Sequence, residues 1–214
     1  MWVDVYTAVS RLHHRERLAV IRKFTFVAFL LSGAIATLSS VAFGQIPPNP
    51  VALIAEQRAA LDKFARMDGV WRGPAWTILP SGEKHHITQT ERIGPFLDGS
   101  IKVIEGRGYE PDGRVGFNAF GVISYSAETK SYRMRSHAQG RYGDFAIVPT
   151  EDGYMWEVPA GPMTIRYTAV IKDGVLKEVG DRIMPGKEPV RFFEMTLTRL
   201  GNTDWPAGNA VPAK

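Results

Sequence analysis

Seven polar residues fall inside stretches that otherwise read as half-buried strand: Glu105, Asn118, His137, Glu157, Arg166, Asp181 and Glu194. Carboxylates, an imidazole and a guanidinium in such places could anchor the polar group of a ligand or move a proton. The commoner role for any one of them is a place on the solvated face. Familiar catalytic patterns are missing from the chain. There is no Gly-rich phosphate loop, no His-Glu-x-x-His, and no Gly-x-Ser-x-Gly elbow before a helix. A metal would have to use His85, His86 and His137 with carboxylates. His85 and His86 are successive, however, and successive strand residues point to opposite faces. The same geometry disfavours a Ser136, His137, Asp144 set, so no metal or catalytic residue is assigned.

The sharpest pattern lies at 131–138. Tyr132, Met134 and Ser136 share one face there, and Arg133, Arg135 and His137 share the other. Either the cations face water, which is the preferred reading, or they make an enclosed surface basic and suited to an acidic ligand. The strand Tyr154–Val158 gives Trp156 to the apolar phase, and Tyr167 follows on the next strand. The candidate ligand-binding set is therefore His137, Trp156, Arg166, Tyr167 and Glu194. Its aromatics would supply apolar contact, and Arg166 or His137 would hold a carboxylate, phenolate or haem propionate. Glu157 or Glu194 would neutralise that buried charge.

These residues need elements to position them. Turn signals recur at Pro80–Gly82, Pro111–Gly113, Ser126–Lys130, Glu151–Gly153, Pro159–Pro162, Lys172–Gly174 and Pro185–Pro189. The stretches between them are β-rich and often alternate, as in Met163–Ile171. The spacing predicts about ten strands, near 70–79, 84–93, 100–107, 115–125, 131–138, 143–148, 154–158, 163–171, 175–183 and 190–199. Connections this short leave no room for crossover helices, so neighbours must pair antiparallel. A sheet of that size with one apolar face can bury it by rolling closed. A two-sheet sandwich is the alternative. Ahead of the strands, Leu53, Ile54, Leu61, Phe64 and Ala65 recur at roughly helical spacing, which predicts one amphipathic helix over Val51–Met67, closed by Gly69. Such a helix could cap one barrel end.

Residues 1–44 read as a signal peptide with a long n-region. Arg11, Arg15, Arg17, Arg22 and Lys23 precede an apolar run from Phe24 to Leu38 that is too short and broken for a good bilayer span. Ala42 and Gly44 then supply small residues for cleavage before Gln45. The expected organisation is leader 1–44, Pro-rich lead-in and helix 45–68, barrel 69–200 and tail 201–214. Without the leader's five basic and two acidic residues, 21 of the 26 basic and 20 of the 22 acidic side chains remain. The net charge falls from +4 to about +1, so the basic balance belongs mostly to the leader and does not argue for nucleic acid. With no cysteine there are no disulfides, no thiolate metal sites and no lipid-modified anchor.

The chain resembles the calycin superfamily of lipocalin and fatty-acid-binding-protein barrels, and within it a bacterial group of lipocalin-like domains of unknown function. The residues that carry the resemblance are Met67–Gly73 with its Gly69-Val70-Trp71, Phe120–Tyr125 with Glu128–Arg135 around a central hairpin, and the closing strand Phe193–Arg199. The resemblance spans most of 65–200. It implies an all-β, ten-stranded antiparallel meander rolled into a barrel, with Trp71 filling the closed end and Arg199 lying across its ring. It also implies a cavity but no particular activity. The leading expectation is an exported, periplasmic or secreted barrel for a small apolar or amphipathic molecule. It would have no cofactor, no nucleic-acid partner and no membrane span after processing, and would be a monomer or weak dimer. A haem-binding or enzymatic barrel using His137, and a structural module with a filled barrel, are the alternatives.

Overall fold

The computed structural model describes residues 49–205. The expected signal peptide and cleavage point, most of the Pro-rich lead-in and the end of the tail lie outside the described residues. Ten strands follow one another as an antiparallel meander: β1 (Gly69–Ile78), β2 (Lys84–Phe96), β3 (Ile101–Tyr109), β4 (Val115–Ser126), β5 (Ser131–Ala138), β6 (Arg141–Pro149), β7 (Gly153–Ala160), β8 (Met163–Lys172), β9 (Val175–Ile183) and β10 (Val190–Gly201). Each pairs with its neighbour in sequence, and β10 returns to pair with β1, which closes the barrel. The sandwich alternative is thereby removed.

Period-two alternation sorts the side chains. On β8, Ile165, Tyr167, Ala169 and Ile171 are buried while Arg166 and Val170 are exposed. On β5, Met134 and Ala138 are buried, and Arg133, Arg135 and His137 face water. Tight turns set the register. Asp173 and Gly174 both have positive φ (51° and 73°), the two-residue geometry whose twist matches the flanking strands of a hairpin. Gln139 and Gly140 repeat it (50° and 77°) between β5 and β6. The ladders are long, with ten residue pairs between β1 and β2. The exception is β6 with β7, joined by three pairs at Ile147, Val148 and Pro149.

One end of the barrel is sealed. Helix α1 (Pro50–Leu61) starts at Asn49, whose side chain accepts the Val51 amide at 3.0 Å. It then tightens into a 3₁₀ segment over Asp62–Met67 instead of running on as one α-helix. The apolar spacing explains the change: Leu61, Phe64 and Met67 lie three apart, so three residues per turn align all of them toward the barrel. Phe64 meets Tyr132 edge-on at 5.2 Å, and the Tyr132 hydroxyl donates to the Ala60 carbonyl at 3.1 Å. Trp71 is 1% exposed and donates its indole N–H to the Met67 carbonyl at 2.8 Å. Arg199, its partner across β1 and β10, lies 6.0 Å from the ring centre and also donates to the Asp68 carbonyl. Nearby, Lys102 is buried and ion-paired with Asp68.

Candidate functional site

The other end opens into a lumen of about 290 Å³. Inward positions of β2 supply Ile87, Gln89, Glu91 and Ile93 to its wall. β3 gives Ile104 and Gly106, β7 gives Tyr154 and Trp156, β9 gives Glu178, and β10 gives Phe193 and Met195. Most of this surface is apolar, so its polar residues stand out.

Two carboxyl groups sit together among these apolar walls. Glu91 accepts a hydrogen bond from the Gln89 amide nitrogen at 2.7 Å; the two are i and i+2 on one strand and so share its inner face. Gly106, paired with Glu91 across β2 and β3, makes room for it: a Cβ there would come within 2.8 Å of a Glu91 carboxylate oxygen. Glu178 is 7% exposed and accepts from the Tyr154 hydroxyl at 2.5 Å and from the Trp156 indole. Burial pushes the Glu91 carboxyl up to about 8, and the charge of Glu178 adds to the rise although Gln89 opposes it. Burial likewise pushes Glu178 up to about 7, against the two donors that favour its charge. Glu91 is wholly enclosed by the barrel, yet part of its surface meets the open lumen instead of packed atoms. Around neutrality the pair therefore holds at least one proton that ordinary carboxylates would have lost.

Nearer the mouth, His85 pairs with Glu110 at 3.2 Å. Gly116 leaves space for Glu110, since a Cβ would fall 2.1 Å from its oxygen. His86 is exposed, so the two adjacent histidines do point apart. Among the described residues no group of three His, Asp or Glu side chains could hold a metal.

The five residues singled out from the sequence separate into two sets. Trp156 lines the lumen, and Tyr167 stacks on it at 4.2 Å and 9° between planes, supporting it from the side. His137, Arg166 and Glu194 lie on the outer wall. His137 stacks against Tyr142 at 5.8 Å, Arg166 pairs with Glu157 at 2.7 Å, and Glu194 faces Lys177 and Arg191. Alternation requires this, because each is a neighbour in sequence of a side chain committed to the inside. Glu91, Glu178, Gln89 and Tyr154 were not foreseen as a group. A signal for Glu91 was present: Ile87, Gln89, Glu91 and Ile93 share a face whose outer members are apolar.

No protein-family model matches the chain, and no curated protein matches it. Among solved structures, the crystal structure of Rv2717c from M. tuberculosis is similar, with a TM-score of 0.50 at 11% identity, over 65% of this chain and 96% of that one. A likeness at that identity speaks to the fold alone. The class defined here is a closed ten-stranded antiparallel β-barrel with one sealed end.

Proposed function

We propose that this protein is a calycin-type binding barrel that encloses a small, largely apolar molecule, and that it works outside the cytoplasm after removal of its leader. The observation that carries the reading is the lumen itself: a cavity of about 290 Å³, apolar in most of its lining, closed by helix and Trp71 at one end. Burial of hydrocarbon against such walls contributes about 25 cal/mol per Å² of apolar surface, enough for useful affinity without many polar contacts. The outer wall carries the ion pairs, including Arg135 with Asp144 and Arg191 with Asp181, as suits a surface in water. Among the described residues no helix is long and apolar enough to cross a membrane. Haem held through His137 draws no support, since that ring lies on the outer wall.

Native mass spectrometry of protein taken gently from its host tests the reading. A co-purifying small molecule should be seen, with a mature N-terminus at or near Gln45. Ala119, which lines the lumen, offers the control: Ala119→Trp should fill the cavity and release the molecule while the barrel stays folded. Retention by a folded Ala119→Trp protein would place the ligand elsewhere.

A further inference from the structure

We propose that the polar end of the ligand is a protonated amine seated against Glu91 and Glu178, with its hydrocarbon part running along Ile104, Ile147, Phe193 and Met195. This deepens the binding reading above and rests on it.

The lumen's hydrogen-bonding groups are unevenly matched. The donors beside the acids, Gln89 at Glu91 and Tyr154 and Trp156 at Glu178, are already engaged by carboxylate oxygens. A ligand acceptor would find only the acid's own proton. An anion would add negative charge to a poorly solvated space that already holds two acids and raises the proton affinity of both. A cation, by contrast, meets acceptors that lack a positive partner. Among the described residues no Lys or Arg lines the lumen, and the one histidine there, His85, is engaged with Glu110 toward the mouth. Among the described residues, the second oxygen of Glu91 accepts no hydrogen bond. Trp156 would flank an ammonium with its ring face, a further attraction for a cation. The lumen's size and lining suit a primary amine on a short alkyl or aryl body.

The charged and titratable groups around Glu91 are Glu178 and Tyr154 within the lumen, His85 and Glu110 toward the mouth, and Glu105 acting through the β3 wall, where it is paired with Arg107. Because Glu91 holds a proton near neutrality, seating an ammonium there expels that proton. Amine affinity should therefore rise with pH, by up to about tenfold per unit, until the acids are ionised. A neutral ligand that accepts the Glu91 proton would show the opposite slope.

The experiment is calorimetric titration of the mature protein with octylamine, octan-1-ol and octanoate between about pH 6 and pH 8, in buffers of different ionisation enthalpy to count protons. Octylamine should bind at least tenfold more tightly than octanoate, gain affinity as pH rises, and release close to one proton at the acid end. Glu91→Gln should lose tenfold or more for octylamine and abolish its pH slope, yet keep its affinity for octan-1-ol. Thermal unfolding of that variant confirms that it is folded, and Glu178→Gln supplies a second test if it is not. Equal or tighter binding of octan-1-ol or octanoate, or an amine affinity that falls with rising pH, would overturn the amine assignment and leave the binding barrel standing. Failure of all three to bind would overturn the amine assignment and, if nothing co-purifies either, the binding reading as well.

Discussion

Two regions of this barrel bury charge, and they do it in opposite ways. At the sealed end, Lys102 meets Asp68, and Arg199 spans Trp71 while donating to the Asp68 carbonyl and to Asn202. Lys102 is the buried cation of the two and Arg199 is exposed, and each has an anionic or carbonyl partner. In the lumen, two carboxyl groups, with Glu178 close enough to raise the proton affinity of Glu91, accept hydrogen bonds from neutral donors: Gln89, Tyr154 and Trp156. Burial raises Asp68 too, but Lys102 and Arg199 both pull it back. No cation does this for Glu91. The first arrangement is self-sufficient and serves the fold. The second is incomplete without a proton or a visitor, which is the condition expected of a site.

The largest effect is expected at the sealed end. Trp71→Ala removes the largest fully buried side chain and should cost about 3–5 kcal/mol in denaturant unfolding. A loss below about 1 kcal/mol would mean that the sealed end does not depend on it.

The opposite sign is expected in the lumen. Below the ordinary carboxylate range Glu91 is protonated folded or unfolded. From there up to about pH 8 the native state keeps the proton and the unfolded chain loses it, so stability falls as pH rises. Glu178 adds the same trend up to about pH 7. Glu91→Gln should flatten this decline and raise stability at alkaline pH by roughly 2–4 kcal/mol, with little change at the acid end. Equal stability of variant and parent at alkaline pH would show the carboxyl to be well solvated.

Lys102→Met sharpens the contrast, because it leaves Asp68 partly buried without its cation. A loss of about 2–3 kcal/mol at neutral pH should shrink on acidification, as protonated Asp68 no longer needs a partner. The smallest effect belongs to the outer wall. Arg166→Ala breaks an exposed pair with Glu157 and should change stability by less than about 1 kcal/mol, with no effect on ligand affinity. A marked loss of affinity would mean that the site reaches the outer surface.

The architecture was largely legible because its signals are local. Turn residues marked the strand ends, and short connections forced the antiparallel meander. The Gln139-Gly140 turn was passed over because neither residue stands in a Gly/Pro cluster, although both take positive φ. The shift from α to 3₁₀ at Leu61 was hidden for another reason: spacing of three and spacing of 3.6 diverge little over two turns. The site was harder. Trp156 is legible from its apolar strand, and alternation in 131–138 already favours water for the face that carries His137; Arg166 is suggested by its chemistry and not by its place in the alternation. Ile165 and Tyr167 commit Arg166 to the outside. Glu178 follows Leu176 on an inner face that no run of isoleucines announces. That Glu91 and Glu178 share one space, from strands eighty-odd residues apart, depends on closure through β10 and β1.

A rolled sheet is free of edges only where its ladders are complete. Between β6 and β7 the ladder has three pairs, all toward the sealed end, the shortest run between neighbouring strands among the described residues. A short ladder is where a closed sheet is most open to pairing with another chain, the hazard that a barrel otherwise abolishes. The local residues oppose such pairing. Pro159 contributes no amide hydrogen to either side, Gly143 weakens strand character, and the Arg135–Asp144 ion pair sets charge beside the gap. At this seam the side chains add to a short ladder in guarding the barrel against self-association.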